Sequence, residues 1–385
     1  MVKYFKPFAL LIILTTLLSF SQLQRHVNQL RDFKSPTPKI QVAILLDVSS
    51  SMDGLIEQAK AQLWNMVSVM GKAQCSTGTP QVEIALYEYG RTANDPNKGY
   101  IKQITPFTTD LNTLSLALFS LNTGGGDEYC GQVIHQSIKE LAWDTAPTNY
   151  KVIFIAGNED FLQGSVKFKQ ACGEAAQKGV IVNTIYCGPK EQGIREHWNL
   201  GGECGGGSFT YIDQNAVLED IPTPYDSALM VLNGSLNNTY IAYGYAGRQK
   251  VAAQATADAN NYSMNKSVAL QRVAVKGKKE LYKNESWDLV DAAAADSTII
   301  AGISLSTLPD SLQKKTRAEL QKVILQKNTE RSLVQKEIGE LSVKREAWLA
   351  AERRKSANAN QAATLESEVE KIIRQQAKRY GMTIQ

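Results

Sequence analysis

"VAILLDVSSSMDG", residues 42–54, joins an apolar run to an aspartate, three serines and a glycine. The run has the Val/Ile/Leu composition of a strand that is buried on both faces of a parallel sheet. Side chains two positions apart in an extended segment point the same way. Asp47, Ser49 and Ser51 are therefore expected to converge on one point, whereas Val48 turns into the protein.

A carboxylate and two hydroxyls in one tight loop are hard oxygen ligands for a cation. Such ligands suit Mg²⁺, Mn²⁺ or Ca²⁺ and are poor ligands for soft metals. Mg²⁺ is the favoured ion, because it keeps part of its coordination shell open to water or to an outside oxygen. The alternative interpretation is an Asp/Ser turn that only caps the helix predicted behind it.

Short β-rich segments alternate with amphipathic helical patterns between residues 39 and 213. The predicted strands are Gln41–Asp47, Gln81–Tyr89, Tyr100–Pro106, Lys151–Ala156, Val180–Tyr186 and Ser208–Ile212. The predicted helices are Leu55–Lys72, Leu111–Leu121, Tyr129–Trp143 and Val166–Lys178. This alternation predicts an α/β fold with a doubly wound, mostly parallel sheet. Such sheets bind ligands outside the carboxyl ends of their strands, where Asp47 is expected to lie.

The D-x-S-x-S motif at the end of the first strand resembles the metal-ion-dependent adhesion site (MIDAS) of von Willebrand factor type A (VWA) domains. The resemblance covers residues 39–213 and includes the order of strands and helices. It implies a metal that binds a carboxylate of a partner protein without catalysis. It also implies two further loops at the site, one with a threonine after paired glycines and one with an aspartate after the fourth strand.

Both further loops depart from the pattern that the resemblance implies. The second loop reads NTGGGDE and has Asp127 after its glycines, with Thr123 as a nearby hydroxyl. The third loop reads AGNED, so that Ala156 stands where an aspartate is expected. We therefore predict that Asp127 replaces the missing carboxylate, with Asn158 and Glu159 as weaker, outer candidates. The alternative is a degenerate site that holds no metal. The predicted ligands are Asp47, Ser49, Ser51 and Asp127, with Thr123, Asn158 and Glu159 as weaker candidates.

Residues 1–21 combine a basic start, an apolar stretch and small residues before Gln22, which is the pattern of a secretory signal peptide. A retained membrane anchor is the alternative, but the stretch is short for a membrane span. The mature chain is thus expected to be secreted or periplasmic and not integral to the membrane.

The cysteines of the chain permit up to two disulfides and one further thiol, without a CxxC pair. They are Cys75, Cys130, Cys172, Cys187 and Cys204.

The pattern becomes helical after residue 213. We predict a helical extension over 222–308 and a long charged helical tail over 309–385, with a coiled coil as one interpretation. The tail has 16 Lys/Arg and 10 Asp/Glu, mixed along its length, which favours a solvated helix over a surface that contacts anionic polymers or phospholipid, and no nucleic-acid partner is expected. Self-association through these helices is a further expectation. The glycine-rich segment 201–207 is interpreted as a flexible entry to the last strand.

These patterns favour a secreted or periplasmic, metal-dependent protein-interaction module that binds an acidic group of a protein partner. The alternative is a metal-free scaffold protein of the cell envelope that assembles through its helical tail. No catalytic residue is predicted, because the chain lacks a G-x-S-x-G elbow and an HExxH helix. A metal-assisted hydrolase is the weakest of the three hypotheses.

Overall fold

The computed structural model describes residues 37–76, 78–216, 220–356 and 365–384. The signal peptide predicted over residues 1–21 lies outside the described residues. From Pro38 onward the described chain forms one compact unit.

Six strands form the main sheet, and two short strands form a separate antiparallel pair. The strands of the main sheet are β1 (Lys39–Asp47), β3 (Gln81–Tyr89), β4 (Lys102–Thr108), β5 (Tyr150–Gly157), β6 (Ile181–Cys187) and β7 (Gly206–Ile212). The short pair is β2 (Ala73–Gln74) and β8 (Thr383–Ile384).

The order of the main sheet is β4-β3-β1-β5-β6-β7, and only the edge strand β4 runs antiparallel to its neighbour. The chain moves outward from β1 in one direction through β3 and in the other through β5. Two parallel strands therefore flank β1 and end beside it, with Asp47 opposite Tyr89 and Leu46 opposite Ala156. This reversal point is where a doubly wound sheet forms its binding crevice. The predicted fold class is confirmed.

The helices account for most of the remaining described chain. Those of the α/β part are α1 (Asp53–Met70), α2 (Leu111–Phe119), α3 (Cys130–Glu140), α4 (Phe168–Gln177), α5 (Lys190–Arg195) and α6 (Trp198–Cys204). The later ones are α7 (Asp226–Asn237), α8 (Gly247–Met264), α9 (Lys266–Lys276), α10 (Leu289–Ala295), α11 (Ile299–Gly302), α12 (Asp310–Gln313), α13 (Arg317–Ser356) and α14 (Leu365–Ala377). The helical C-terminal region predicted from the sequence is confirmed.

The glycine-rich segment 201–207 is not the flexible entry that its composition predicted. Residues 201–204 form the end of α6, and β7 begins at Gly206. A Cβ atom at Gly202 would lie 2.8 Å from the backbone nitrogen of Phe209, and one at Gly201 would lie 2.4 Å from the Phe161 ring. These glycines therefore let the helix pack closely against its neighbours, which composition alone did not reveal.

Each face of the sheet has its own apolar core. Alternate β1 side chains divide between the two, with Val42, Ile44 and Leu46 in one core and Ala43 and Leu45 in the other. The first core is covered by α1 and α2, and the second by α3, α4 and α6. Because both faces are covered, the strands are continuously apolar and carry their polar groups at their ends.

The last helix, α14, packs into the first of these cores. Leu365, Val369 and Ile373 are buried in it beside α1. The buried amide of Gln376 accepts a hydrogen bond from the Tyr150 hydroxyl at 2.9 Å and donates one to the Asn183 side chain at 2.7 Å. Within the described residues, the chain thus leaves the α/β part after β7, forms seven α-helices, and returns with α14 to complete the core.

The long helix α13 packs along the other helices of the extension. Its apolar stripe of Val334, Ile338 and Leu341 lies in a cluster with α7 and α9. Two buried arginines add ion pairs, in which Arg331 contacts Asp288 at 2.5 Å and Arg345 contacts Asp226 at 3.1 Å. This stripe therefore packs within the chain, and the coiled-coil interpretation stays a prediction.

A buried polar cluster joins the extension to the α/β part. The Arg272 guanidinium donates to the Asn112 side chain of α2 at 2.7 Å and lies 4.6 Å above the Trp64 ring of α1. Asp258 pairs with Arg272 at 2.5 Å and with Lys276 at 2.8 Å.

Of the described helices, none has the length and apolar character that a membrane span requires.

Candidate metal centre

Asp47 is the last residue of β1 and is fully buried. Its Oδ1 accepts a hydrogen bond from the backbone nitrogen of Ser49 at 2.7 Å, which fixes the turn after the strand. Its Oδ2 is buried and has no hydrogen-bond donor. A buried carboxylate oxygen without a donor is costly, so this atom calls for a proton or a cation.

The two serines converge as their spacing predicted. The hydroxyl of Ser49 lies 3.2 Å from that of Ser51, and Ser49 is buried while Ser51 is exposed. The Ser51 hydroxyl also lies 3.2 Å from the side-chain nitrogen of Asn158 in the third loop. The structure thus brings together Asp47, Ser49, Ser51 and Asn158.

The second loop contributes a carboxylate, but it is Glu128 and not the predicted Asp127. Asp127 is exposed, and its carboxylate accepts a hydrogen bond from the Tyr129 hydroxyl at 2.9 Å. Glu128 is 5% exposed, and its carboxyl group lies beside the side chains of Asp47 and Ser49. The sequence reasoning missed Glu128 because it placed the ligand directly after the glycines.

Backbone hydrogen bonds of the glycine loop explain why Glu128, one residue after the predicted Asp127, lies beside Asp47. The backbone nitrogen of Gly124 donates to the Val48 carbonyl at 2.9 Å, and that of Thr92 donates to the Gly125 carbonyl at 2.8 Å. The glycines are therefore held against the first loop and the end of β3. Glu128 stands two residues before Cys130, where α3 begins, and its burial beside Asp47 was not visible from residue type alone.

Two glycines make room for the facing carboxyl groups. A Cβ at Gly90 would lie 2.9 Å from Asp47 Oδ1 and 2.8 Å from Glu128 Cγ. A Cβ at Gly157 would lie 3.0 Å from Asp47 Oδ2 and 2.6 Å from the Tyr89 hydroxyl. Larger side chains at either position would therefore fill the space around the pair.

Electrostatics at the pair follow from burial and like charge. Burial, together with the hydrogen bond and charge of Asp47, raises the pKa of Glu128 to about 9. Burial also raises the pKa of Asp47, against the hydrogen bonds that it receives from Glu128 and Ser49. Among the described residues, no Lys, Arg or His forms an ion pair with either group. Without a cation, a proton between the two carboxyl groups therefore takes the place of a counter-charge.

The remaining predicted ligands, Thr123 and Glu159, lie at the margin of the candidate metal centre. Thr123 donates to the carboxylate of Asp53 at 2.5 Å, so its hydroxyl is engaged away from Asp47. Glu159 is exposed, and its charge contributes to the raised pKa values of Asp47 and Glu128. The Glu159 carbonyl accepts a 2.7 Å hydrogen bond from the Trp198 indole, which anchors the third loop to α6.

The donor set fits a hard divalent cation. Asp47 and Glu128 supply carboxylate oxygens, and Ser49 and Ser51 supply hydroxyls. In the described part of the chain, no three His, Cys, Asp or Glu side chains cluster as a metal site, so the hydroxyls are needed to complete this one. The orphan oxygen of Asp47 is the observation that favours a cation over a simple capping turn.

Three comparisons with known proteins complement this geometry. No family model matches the chain, and no curated protein matches it. Among solved structures, the chain is similar to proximal thread matrix protein 1 from the mussel byssus with a zinc-occupied MIDAS motif. That match has 14% identity and a TM-score of 0.34, and it covers 46% of this chain and 42% of that one.

Two further solved structures show similar values. BatB from Bacteroides thetaiotaomicron matches with 15% identity and a TM-score of 0.35, over 45% of this chain and 90% of that one. The SpRpn10 VWA domain matches with 12% identity and a TM-score of 0.35, over 47% of this chain and 100% of that one. The chain spans about two fifths of the mussel protein.

Proposed function

We propose that the chain is a protein-interaction module in which a divalent cation binds a carboxylate of a partner protein. Asp47, Ser49, Ser51 and Glu128 would hold the cation, with Asn158 in hydrogen-bonding contact with Ser51. Mg²⁺ is the favoured ion, with Mn²⁺ and Ca²⁺ as alternatives. The bound cation supplies an electrophilic coordination position that an outside oxygen can fill.

The observation that carries the proposal is the orphan Oδ2 of the fully buried Asp47 beside Glu128. Two carboxylates that face each other without a basic partner favour a dication, which neutralises both at once. Because both charges of the cation are then neutralised, we expect the partner's carboxylate to be held mainly by coordination, with little long-range attraction. The surrounding loops must add the remaining contacts.

A binding role is favoured over catalysis. Two histidines near this part of the fold are paired with acids, since His135 lies 2.5 Å from Glu174 and His197 lies 3.0 Å from Asp160. Neither contact involves a serine of the first loop. The proposal also includes a secreted or periplasmic location, which follows from the signal peptide predicted over residues 1–21.

Isothermal titration with Mg²⁺, Mn²⁺ and Ca²⁺ tests the cation directly. We expect measurable binding by the wild type and its loss in Asp47→Ala. Asp53→Asn is the matched control, because it removes a charge directly after the first loop, at the start of α1, without removing a proposed ligand. Equal heats from wild type and Asp47→Ala would overturn the proposal. Capture of a partner from an extract with and without chelator then tests whether that binding depends on the cation.

A metal-free scaffold that assembles through its helical tail is the second candidate. Leu325 and Val343 on α13 are 66% and 70% exposed. They are 18 residues apart, which is five helical turns, so they lie on the same face of the helix. Sedimentation of the wild type and of a Leu325→Ser/Val343→Ser variant separates the candidates. Assembly that is lost in this variant and unaffected by chelator would favour the scaffold.

A further inference from the structure

Cys172 and Cys204 lie against each other away from the candidate metal centre. Cys172 is on α4 and is 1% exposed, whereas Cys204 is the last residue of α6 and is partly exposed. The Cys172 thiol reaches the carbonyl of Gly201 at 3.8 Å, one turn before Cys204 on the same helix. The Cys204 side chain is a direct neighbour of the Cys172 thiol and contributes to raising the pKa of that thiol.

Close helix packing produces this contact. A Cβ at Gly205 would lie 2.4 Å from the Val182 side chain, which shows how tightly the end of α6 is pressed onto β6. α4 packs on the same face of the sheet and contacts α6. Both cysteines belong to this apolar cluster, with Cys172 inside it and Cys204 at its boundary.

We propose that Cys172 and Cys204 form a disulfide bond when the chain is in an oxidising environment. The oxidant is a small-molecule disulfide or a disulfide-carrying protein. The Cys204 thiolate attacks one sulfur of that disulfide and releases the other as a thiol. The Cys172 sulfur then attacks Cys204 Sγ and releases the second thiol. The two protein thiols lose two electrons and two protons, and the oxidant gains both.

The unequal exposure of the two sulfurs sets this order. An exchange partner can reach Cys204 at the boundary of the cluster, whereas Cys172 is enclosed. Burial and the neighbouring Cys204 raise the pKa of the Cys172 thiol above its usual range, so Cys172 is the poorer first nucleophile. A neutral disulfide suits the apolar surroundings better than a thiolate does.

The bond would restrain the helix that holds the third loop of the candidate metal centre. α6 begins at Trp198, whose indole donates to the Glu159 carbonyl and whose own carbonyl accepts from the Thr184 hydroxyl at 2.7 Å. Linking α4 to α6 fixes this helix from its other end. The two cysteines are 32 positions apart, and closing a loop of that size restricts the unfolded chain. The proposal does not depend on cation binding.

The test uses the folded, fully reduced chain incubated with oxidised glutathione. After quenching by alkylation, thiols are counted in denaturant and the digested protein is mapped by mass spectrometry. We expect the count to fall from five to three and the peptides of Cys172 and Cys204 to be linked. We also expect the midpoint of thermal unfolding to rise by several degrees on oxidation.

Two variants provide the controls. Cys204→Ser is expected to keep its four thiols free of internal linkage, and Cys75→Ser is expected to fall from four thiols to two. Five remaining thiols, under conditions that fully oxidise a reference dithiol protein, would overturn the proposal. A linkage between any other two cysteines would overturn it as well. The wild-type mapping alone decides the pairing if either variant fails to fold.

Discussion

The carboxyl group of Glu128 lies against that of Asp47 at the carboxyl edge of the sheet, and both side chains are buried. Two buried acids in contact cannot both be ionised at low cost. A shared proton relieves the repulsion in the cation-free protein, and a dication would relieve it in the bound protein. Glu128 therefore has opposite effects on stability and on binding.

Glu128→Gln separates these two effects. We expect the variant to lose cation affinity by about tenfold or more, because one of two carboxylates is gone. In chelator, we expect it to unfold at the same temperature as the wild type or higher, because Glu128 must take up a proton when the wild type folds and glutamine needs none. Titration calorimetry and thermal unfolding in chelator measure the two effects.

Asp127→Asn is the matched control for this variant. It removes the charge of the neighbouring carboxylate, which accepts a hydrogen bond from the Tyr129 hydroxyl. We expect its cation affinity to stay close to that of the wild type. If Asp127→Asn loses affinity and Glu128→Gln does not, the prediction made from the sequence would be restored and the assignment of Glu128 would be wrong.

The last helix should contribute to the stability of the α/β part. Ile373 on α14 is fully buried in the core beside α1. Replacing it with alanine leaves a cavity, and we expect a loss of about 2–5 kcal/mol in the free energy of unfolding. Leu333→Ala on α13 is the control, since Leu333 is 65% exposed and should contribute little. Urea unfolding of both variants, followed by tryptophan fluorescence, measures the difference.

Because α14 belongs to the core, we expect a deletion of the tail to disrupt the α/β part as well. Deleting residues 309–385 removes α14 together with α13, so the deletion exposes the core that α14 covers. We expect such a truncation to aggregate or to bind a dye for exposed apolar surface. Loss of partner binding by that truncation would therefore not identify the tail as a binding surface.

Asp258 should make the connection between the extension and the α/β part acid-sensitive. Its pairing with Arg272 and Lys276 holds its pKa well below the ordinary value of 3.8, against the opposing effect of burial. A carboxyl group with a lowered folded-state pKa stabilises the protein above its unfolded-state value and loses that contribution as the pH falls. We expect the free energy of unfolding to decline from about pH 4 downward for this reason.

Asp258→Asn isolates this contribution. At neutral pH we expect a loss of about 3 kcal/mol or more, because Arg272 remains buried without its counter-charge. The difference from the wild type should narrow as the pH falls below 3.8, because Asp258 is then protonated in the unfolded wild type and must release that proton on folding. Asp310→Asn, which removes an exposed ion pair with Arg248, should leave the stability unchanged. A difference that is constant with pH would contradict this account.

The sequence predicted those parts of the structure that depend on local pattern. Continuous apolar runs identified the parallel strands, and the two-residue spacing placed Asp47, Ser49 and Ser51 together. The return of α14 could not be predicted, because it depends on contacts such as Gln376 with Asn183 that are far apart in sequence. Glu128 was missed for a related reason. Which of two adjacent acids is buried depends on how the glycine loop is held against β1 and β3.

Gly90 tests whether the geometry of the acidic pair matters for binding. Its φ of +81° is strained for any other L residue, and a methyl group there would meet both Asp47 and Glu128. Gly244 has a similar φ of +72° but open space around its Cβ position. We expect both alanine variants to lose about 1–2 kcal/mol of stability from backbone strain. Only Gly90→Ala should also weaken Mn²⁺ binding, because it displaces the two carboxyl groups. Titration calorimetry on the folded variants measures this, and equal affinities in the two variants would show that the pair does not bind the cation.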